Sequence, residues 1–76
     1  MWIKDLLEYT WYVQEITIIN IKNNVFRESA DINKINDNAI FHGTNADLRS
    51  DNYKSLLQRD IAGIGTIDNT LILQVW

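Results

Sequence analysis

The chain has 76 residues, 46% hydrophobic and 22% charged, with a net charge of −3 and neither cysteine nor proline. That describes one folding domain, residues 1–76, and it excludes disulfides, thiolate metal sites and cysteine nucleophiles. A single histidine excludes a multi-histidine metal site within one chain, the mild acidity argues against nucleic acid as a direct ligand, and no run approaches the ~20 apolar residues of a membrane span.

The N-terminal stretch MWIKDLLEYTWY carries Asp5 and Glu8 where a leader would be apolar, so it reads as mature structure and the expected location is cytoplasmic. Ile3, Leu6 and Leu7 form one helical stripe, which predicts a short amphipathic helix over about residues 2–9. Tyr9, Thr10, Trp11 and Tyr12 break with it, being poor helix formers and good strand entrants.

VQEITIINIK is the clearest strand. Ile16 and Ile18 face one way, and Thr17, Ile19 and Ile21 the other. Apolar residues on both faces imply cover on both sides, or a partner on the second. Asn23-Asn24 is a candidate hairpin turn, with VFRESADI returning as a second strand. NKINDN reads as a loop and AIFHG as a third strand stopped by Gly43. A second helix follows, with Ser50 as N-cap, Asp51 in its first turn and Tyr53, Leu56 and Leu57 as its apolar face.

In IAGIGTI the isoleucines at 61, 64 and 67 are spaced by three, which no regular strand places on one face. Gly63 and Gly65 suggest a bulge that shifts the pleat, with alanine tolerated poorly if either glycine sits at positive φ. Asp68-Asn69 is a second hairpin turn. TLILQVW then alternates, with Leu71, Leu73 and Val75 toward the core and Ile72, Gln74 and Trp76 on a half-wet second face. The order α-β-β-β-α-β-β predicts an α+β domain: a mainly antiparallel sheet of about five strands with two short helices packed on one face.

No chemistry-bearing constellation emerges. His42 lies near Asp47 and Asp51 in sequence, as a general base would, but no serine stands in a nucleophile-elbow setting. GTNAD and GIGT lack the spacing and the lysine of a phosphate loop. DINKINDNAIFHG puts Ile35, Asn36 and His42 where a calcium loop needs an oxygen ligand, glycine and glutamate. The expectation is no catalytic residue, no metal and no cofactor. The aromatic set is more informative. Tryptophan and tyrosine fill small cores, but they also anchor interfaces. The candidate interface residues are Trp2, Trp11, Tyr12, Ile72, Gln74 and Trp76. The seven Lys and Arg residues are scattered, without the basic setting of a base-stacking platform.

The stretches IKDLLEY, ITIINI, IFHGTNADL and LLQRDIAGIGTIDNTLILQV together resemble small phage and prophage accessory proteins of AT-rich Gram-positive bacteria, a class that includes anti-CRISPR and other anti-defence inhibitors. The 12 isoleucines and 9 asparagines fit such a genome. The resemblance implies a compact, non-enzymatic protein that binds a protein partner and occludes a surface on it. A strongly acidic DNA mimic is a poorer match to a net charge of −3. The alternative is a small oligomeric ligand-binding or nucleotide-sequestering protein with its site between subunits. The thin core and the two-sided strand at 16–21 also raise the expectation of a homodimer.

Overall fold

The computed structural model describes residues 1–23 and 31–76. Four strands form one sheet: β1 (Glu15–Asn20), β2 (Phe41–Thr44), β3 (Ile61–Ile67) and β4 (Thr70–Val75). Their spatial order is β2-β1-β4-β3. The two outer pairings are antiparallel, whereas the central pair, β1 with β4, is parallel. The α+β class holds, but the sheet is mixed, and the described residues supply four of the about five strands expected.

The described residues hold four short α-helices: α1 (Ile3–Leu7), α2 (Ile32–Asp37), α3 (Asn45–Leu48) and α4 (Lys54–Leu57). The expected second helix is α3 and α4, separated by a 3-10 turn at Asp51–Tyr53. Ser50 stands at the N-cap of that turn with Asp51 in its first turn, though its side chain makes no capping bond; the side-chain-capped start lies earlier, at Thr44. Thr44 Oγ1 accepts from the Asp47 N–H at 3.2 Å while Asp47 Oδ2 accepts from the Thr44 N–H at 3.1 Å. This reciprocal box satisfies two donors at a helix start.

The expected loop NKINDN is α2 instead. Asp31 caps it by accepting from the Asn33 N–H at 2.9 Å, and its buried Ile35 packs on Ile19 and Ile72. The expected strand at 25–32 lies mostly outside the described residues, but its last two positions are this helix's cap and first residue. Asn24 of the expected turn is also outside them. At Asn20 the side chain accepts from the Lys22 N–H at 2.8 Å and the carbonyl from the Asn23 N–H at 2.9 Å, which turns the chain out of the sheet. Among the described residues β1 has β2 on one edge and β4 on the other.

Helices cover both faces, not one. On the first face Ile16, Ile18, Phe41, Leu73 and Val75 pack against Ile3, Leu7, Leu48 and Leu56. On the second, Ile19, Ile35 and Ile72 form a smaller core beneath α2. The two-sided pattern of β1 is therefore satisfied within the chain and no longer argues for a dimer. Gly43 lies under the ring of Phe41, where an added Cβ would sit 3.0 Å from the ring edge.

The bulge in IAGIGTI is present, between Ile61 and Gly63. No glycine has positive φ, so the extra residue is accommodated without the left-handed backbone anticipated for Gly63 or Gly65. The Asp68-Asn69 turn does use it, at φ 49° and 64°. Two residues at positive φ in a two-residue hairpin match the right-handed twist of the flanking strands. No described helix is long and apolar enough to cross a membrane.

Candidate protein-binding surface

Residues 8–14 join α1 to β1 and carry Tyr9, Trp11, Tyr12 and Val13, all exposed. An irregular segment presenting this much apolar surface needs something to hold it. The holder is Asn45, the first residue of α3, which is fully buried. Its side-chain Nδ2 donates to the Leu7 carbonyl at 3.1 Å, to the Thr10 carbonyl at 3.2 Å and to Thr10 Oγ1. Its Oδ1 accepts from Arg49 Nε at 2.8 Å, and Arg49 Nη2 reaches the Leu7 carbonyl at 2.9 Å. A buried amide has this few ways to satisfy all its polar atoms, and here both ends are used on the loop and on the arginine beside it.

The loop is also fastened through its backbone. The Asn45 N–H donates to Gln14 O at 3.0 Å and the Ala46 N–H to Tyr12 O at 3.1 Å. The Gln14 N–H closes a turn onto Trp11 O at 3.0 Å, and Gln14 Nε2 ties the far side to the hairpin tip through Asn69 O at 2.8 Å. Arg49 then stacks over the Tyr12 ring, 5.0 Å from its centroid, as a guanidinium does on an electron-rich face. Trp11, 81% exposed, and Tyr9, 83% exposed, flank a shallow cleft floored by Leu71 and Thr66.

The six candidate interface residues fall into three groups. Trp11 and Tyr12 lie together on this loop, at the end of the sheet where β1 begins and the β3–β4 hairpin turns. Trp2 and Trp76 lie at the opposite end: Trp2 bridges Asp60, and Trp76 follows Val75, which pairs with Ile61. Trp76 is 67% exposed and its carbonyl accepts from the Arg59 guanidinium. Ile72 is a correction, and Gln74 is half-buried. Ile72 is completely buried beneath α2 by Ile19 and Ile35, so it has no surface to offer. Gln74 folds its side chain over Gly63, where an added Cβ would lie 2.5 Å from Oε1. The second face is thus dry at Ile72, where α2 covers it, and half-wet at Gln74.

His42 is exposed on β2. Its Nδ1 lies 3.2 Å from Thr17 Oγ1, and that hydroxyl donates to Asn36 Oδ1 at 2.6 Å. Since the threonine proton is committed to Asn36, the imidazole donates to the hydroxyl. Asp47 is engaged with Thr44 instead. Among the described residues no group of His, Asp and Glu is arranged to hold a metal ion.

Tyr9 and Val13 are surface residues that sequence reasoning left out of the candidate set. Their signal was present: four of five consecutive residues from Tyr9 to Val13 are large and apolar or aromatic, immediately before a strand whose own residues already fill the core. No family model matches the chain, and no curated protein or solved structure is similar to it.

Proposed function

We propose that this is a non-enzymatic protein-binding protein, and that its contact surface is the aromatic loop at residues 9–13. One observation carries the reading: Trp11 and Tyr12 stand exposed on a segment that a buried asparagine pins from beneath. Binding loses free energy when mobile side chains and loops must be ordered. A loop already fixed by its own chain avoids most of that loss, and tryptophan and tyrosine are the residues most often found at the energetic centre of interfaces. The role is the one the sequence resemblance implies, a small phage-type accessory protein that occludes a surface of a larger host protein.

The test is capture from lysate of an AT-rich Gram-positive bacterium, using immobilised wild type and Trp11→Ala side by side. A protein retained in stoichiometric amount by the wild type and lost by the variant is the expected result. Identical proteins retained on both would remove this loop as the contact surface.

A further inference from the structure

A second surface adjoins the aromatic loop, sharing Thr66 with its cleft, and rests on a different observation. β3 is an edge strand seven residues long, IAGIGTI, without a charge or a proline. Edge strands are normally protected by charges, prolines, shortness or cover, because their free N–H and C=O groups pair readily with another strand. The opposite edge, β2, is only four residues long and runs directly into α3. On β3 the protection covers one end only. The Ile61 N–H donates to Met1 O at 2.9 Å and the Ile3 N–H to Arg59 O at 3.1 Å, with Trp2 bridging Asp60. From Ala62 to the turn at Asp68, no backbone bond among the described residues reaches the outer edge.

The hairpin fixes which groups are free. Ile67 and Thr70 flank the two-residue turn, so Ile67, Gly65 and Gly63 bond to β4 while Ile64 and Thr66 point their N–H and C=O outward. Ile64 is also 57% exposed. The midpoint of the free stretch is Gly65.

We infer that β3 pairs antiparallel with β3 of a second copy about a two-fold axis at Gly65, joining two sheets into one. In this register Ile64 and Thr66 of one copy exchange both backbone hydrogen bonds with Thr66 and Ile64 of the other. Large side chains meet small ones: Ile67 lies opposite Gly63 of the second copy, and the two Gly65 residues face each other. The carboxylates are also kept apart, with Asp68 opposite Ala62 and Asp60 beyond the last residue of the other copy's β3. Centring on Ile64 would set Asp60 against Asp68 of the other copy, and like charges directly opposite are destabilising. It would also bring Ile67 onto Ile61, whose outer N–H already belongs to Met1. Centring on Thr66 shortens the pairing and runs it into the turn. An uncharged strand that complements itself in one register selects a second copy over an unrelated strand.

The test begins with light scattering between about 10 and about 100 μM, where an interface smaller than ~1,200 Å² assembles. The wild type is expected to show twice the chain mass, and both Ile64→Lys and Thr66→Pro the single-chain mass. Thr66 tolerates proline in the folded chain because its N–H faces outward at an edge. The register is read by disulfide trapping, since the chain has no native cysteine. An equal mixture of Ile64→Cys and Thr66→Cys, oxidised with diamide, should cross-link well, and either variant alone poorly. A wild-type monomer throughout overturns the second copy as occupant and leaves the edge to a strand from another protein. A dimer mass unchanged in both surface variants overturns the edge itself. Cross-linking of Ile64→Cys alone as efficiently as the mixture overturns the register.

Discussion

The Asn45 side-chain amide donates to the Thr10 carbonyl at 3.2 Å, joining α3 to a loop 35 residues earlier. This contact makes the aromatic segment a fixed surface, because its neighbours in the loop face outward and contribute little packing of their own. Asn45→Ala removes the donors to Leu7 and Thr10; the Leu7 carbonyl keeps Arg49 Nη2, but the Thr10 carbonyl and Arg49 Nε lose the partner that Asn45 supplies. The expected loss is about 1–3 kcal/mol in urea unfolding. Amide order parameters at residues 9–14, near ~0.85 in the wild type, should fall toward ~0.6 or below in the variant. Unchanged order in a destabilised variant would mean that the backbone bonds to Gln14 and Tyr12 hold the loop alone.

The glycines separate by what lies over them. Gly63→Ala requires only the free end of the Gln74 side chain to move, and its backbone φ is not in the left-handed region. Its expected cost is below about 1 kcal/mol, within the range of ordinary surface changes and small repacking. Gly43→Ala meets the Phe41 ring and the Asp47 carboxylate, and Phe41 is itself fixed edge-on against Tyr53 with ring centroids 4.9 Å apart. That variant should lose about 1–3 kcal/mol through overpacking. Parallel denaturant titrations check the order, and a Gly63 variant less stable than the Gly43 variant would reverse it.

At the hairpin tip, Asn69 holds φ at 64°. Asn69→Gly should be neutral or slightly stabilising, since a two-residue turn of this kind favours glycine there. Asn69→Val should lose about 1–3 kcal/mol, because a β-branched residue is strained in the left-handed region. Thermal melts of the two variants give the comparison. Equal melting temperatures would show that the turn can adopt another backbone.

His42→Ala is expected to leave partner capture within a few fold of wild type. The ring is exposed, donates only to Thr17 among the described residues and lies on β2, away from the aromatic loop. Abolished capture by a still-folded His42→Ala chain would bring the imidazole into the function.

The strands were legible because their signals are local. The alternation in 15–20 and 70–75, the two positive-φ residues at 68–69 and the threefold spacing in IAGIGTI each lie within a few residues. The helix α2 was not read because INKIND is polar and short, although Asp31 as a cap and the Ile32–Ile35 spacing both point to it. That omission has a consequence: without α2 the whole second face reads as half-wet, and the fully buried Ile72 reads as surface. The parallel pairing of β1 with β4 has no local signature at all, since residues 16 and 71 meet only through the fold. Trp11 and Tyr12 could be named as interface candidates from residue type alone. The Asn45–Thr10 contact that fixes them could not, because nothing near either residue marks the other.

The central claim is that Trp11 serves the surface and not the core. The most direct measurement is the melting temperature of Trp11→Ser beside that of the wild type, with far-UV circular dichroism to show the fold is kept. A buried tryptophan lost to a small residue costs about 3–5 kcal/mol, which in a domain of this size lowers the melting point by more than ~12 °C. The structure predicts a change of no more than about 4 °C, because Trp11 is 81% exposed and a surface substitution is usually worth within ~0.5 kcal/mol. A fall of ten degrees or more would show that the side chain belongs to the core, and would contradict the surface on which the proposed function rests.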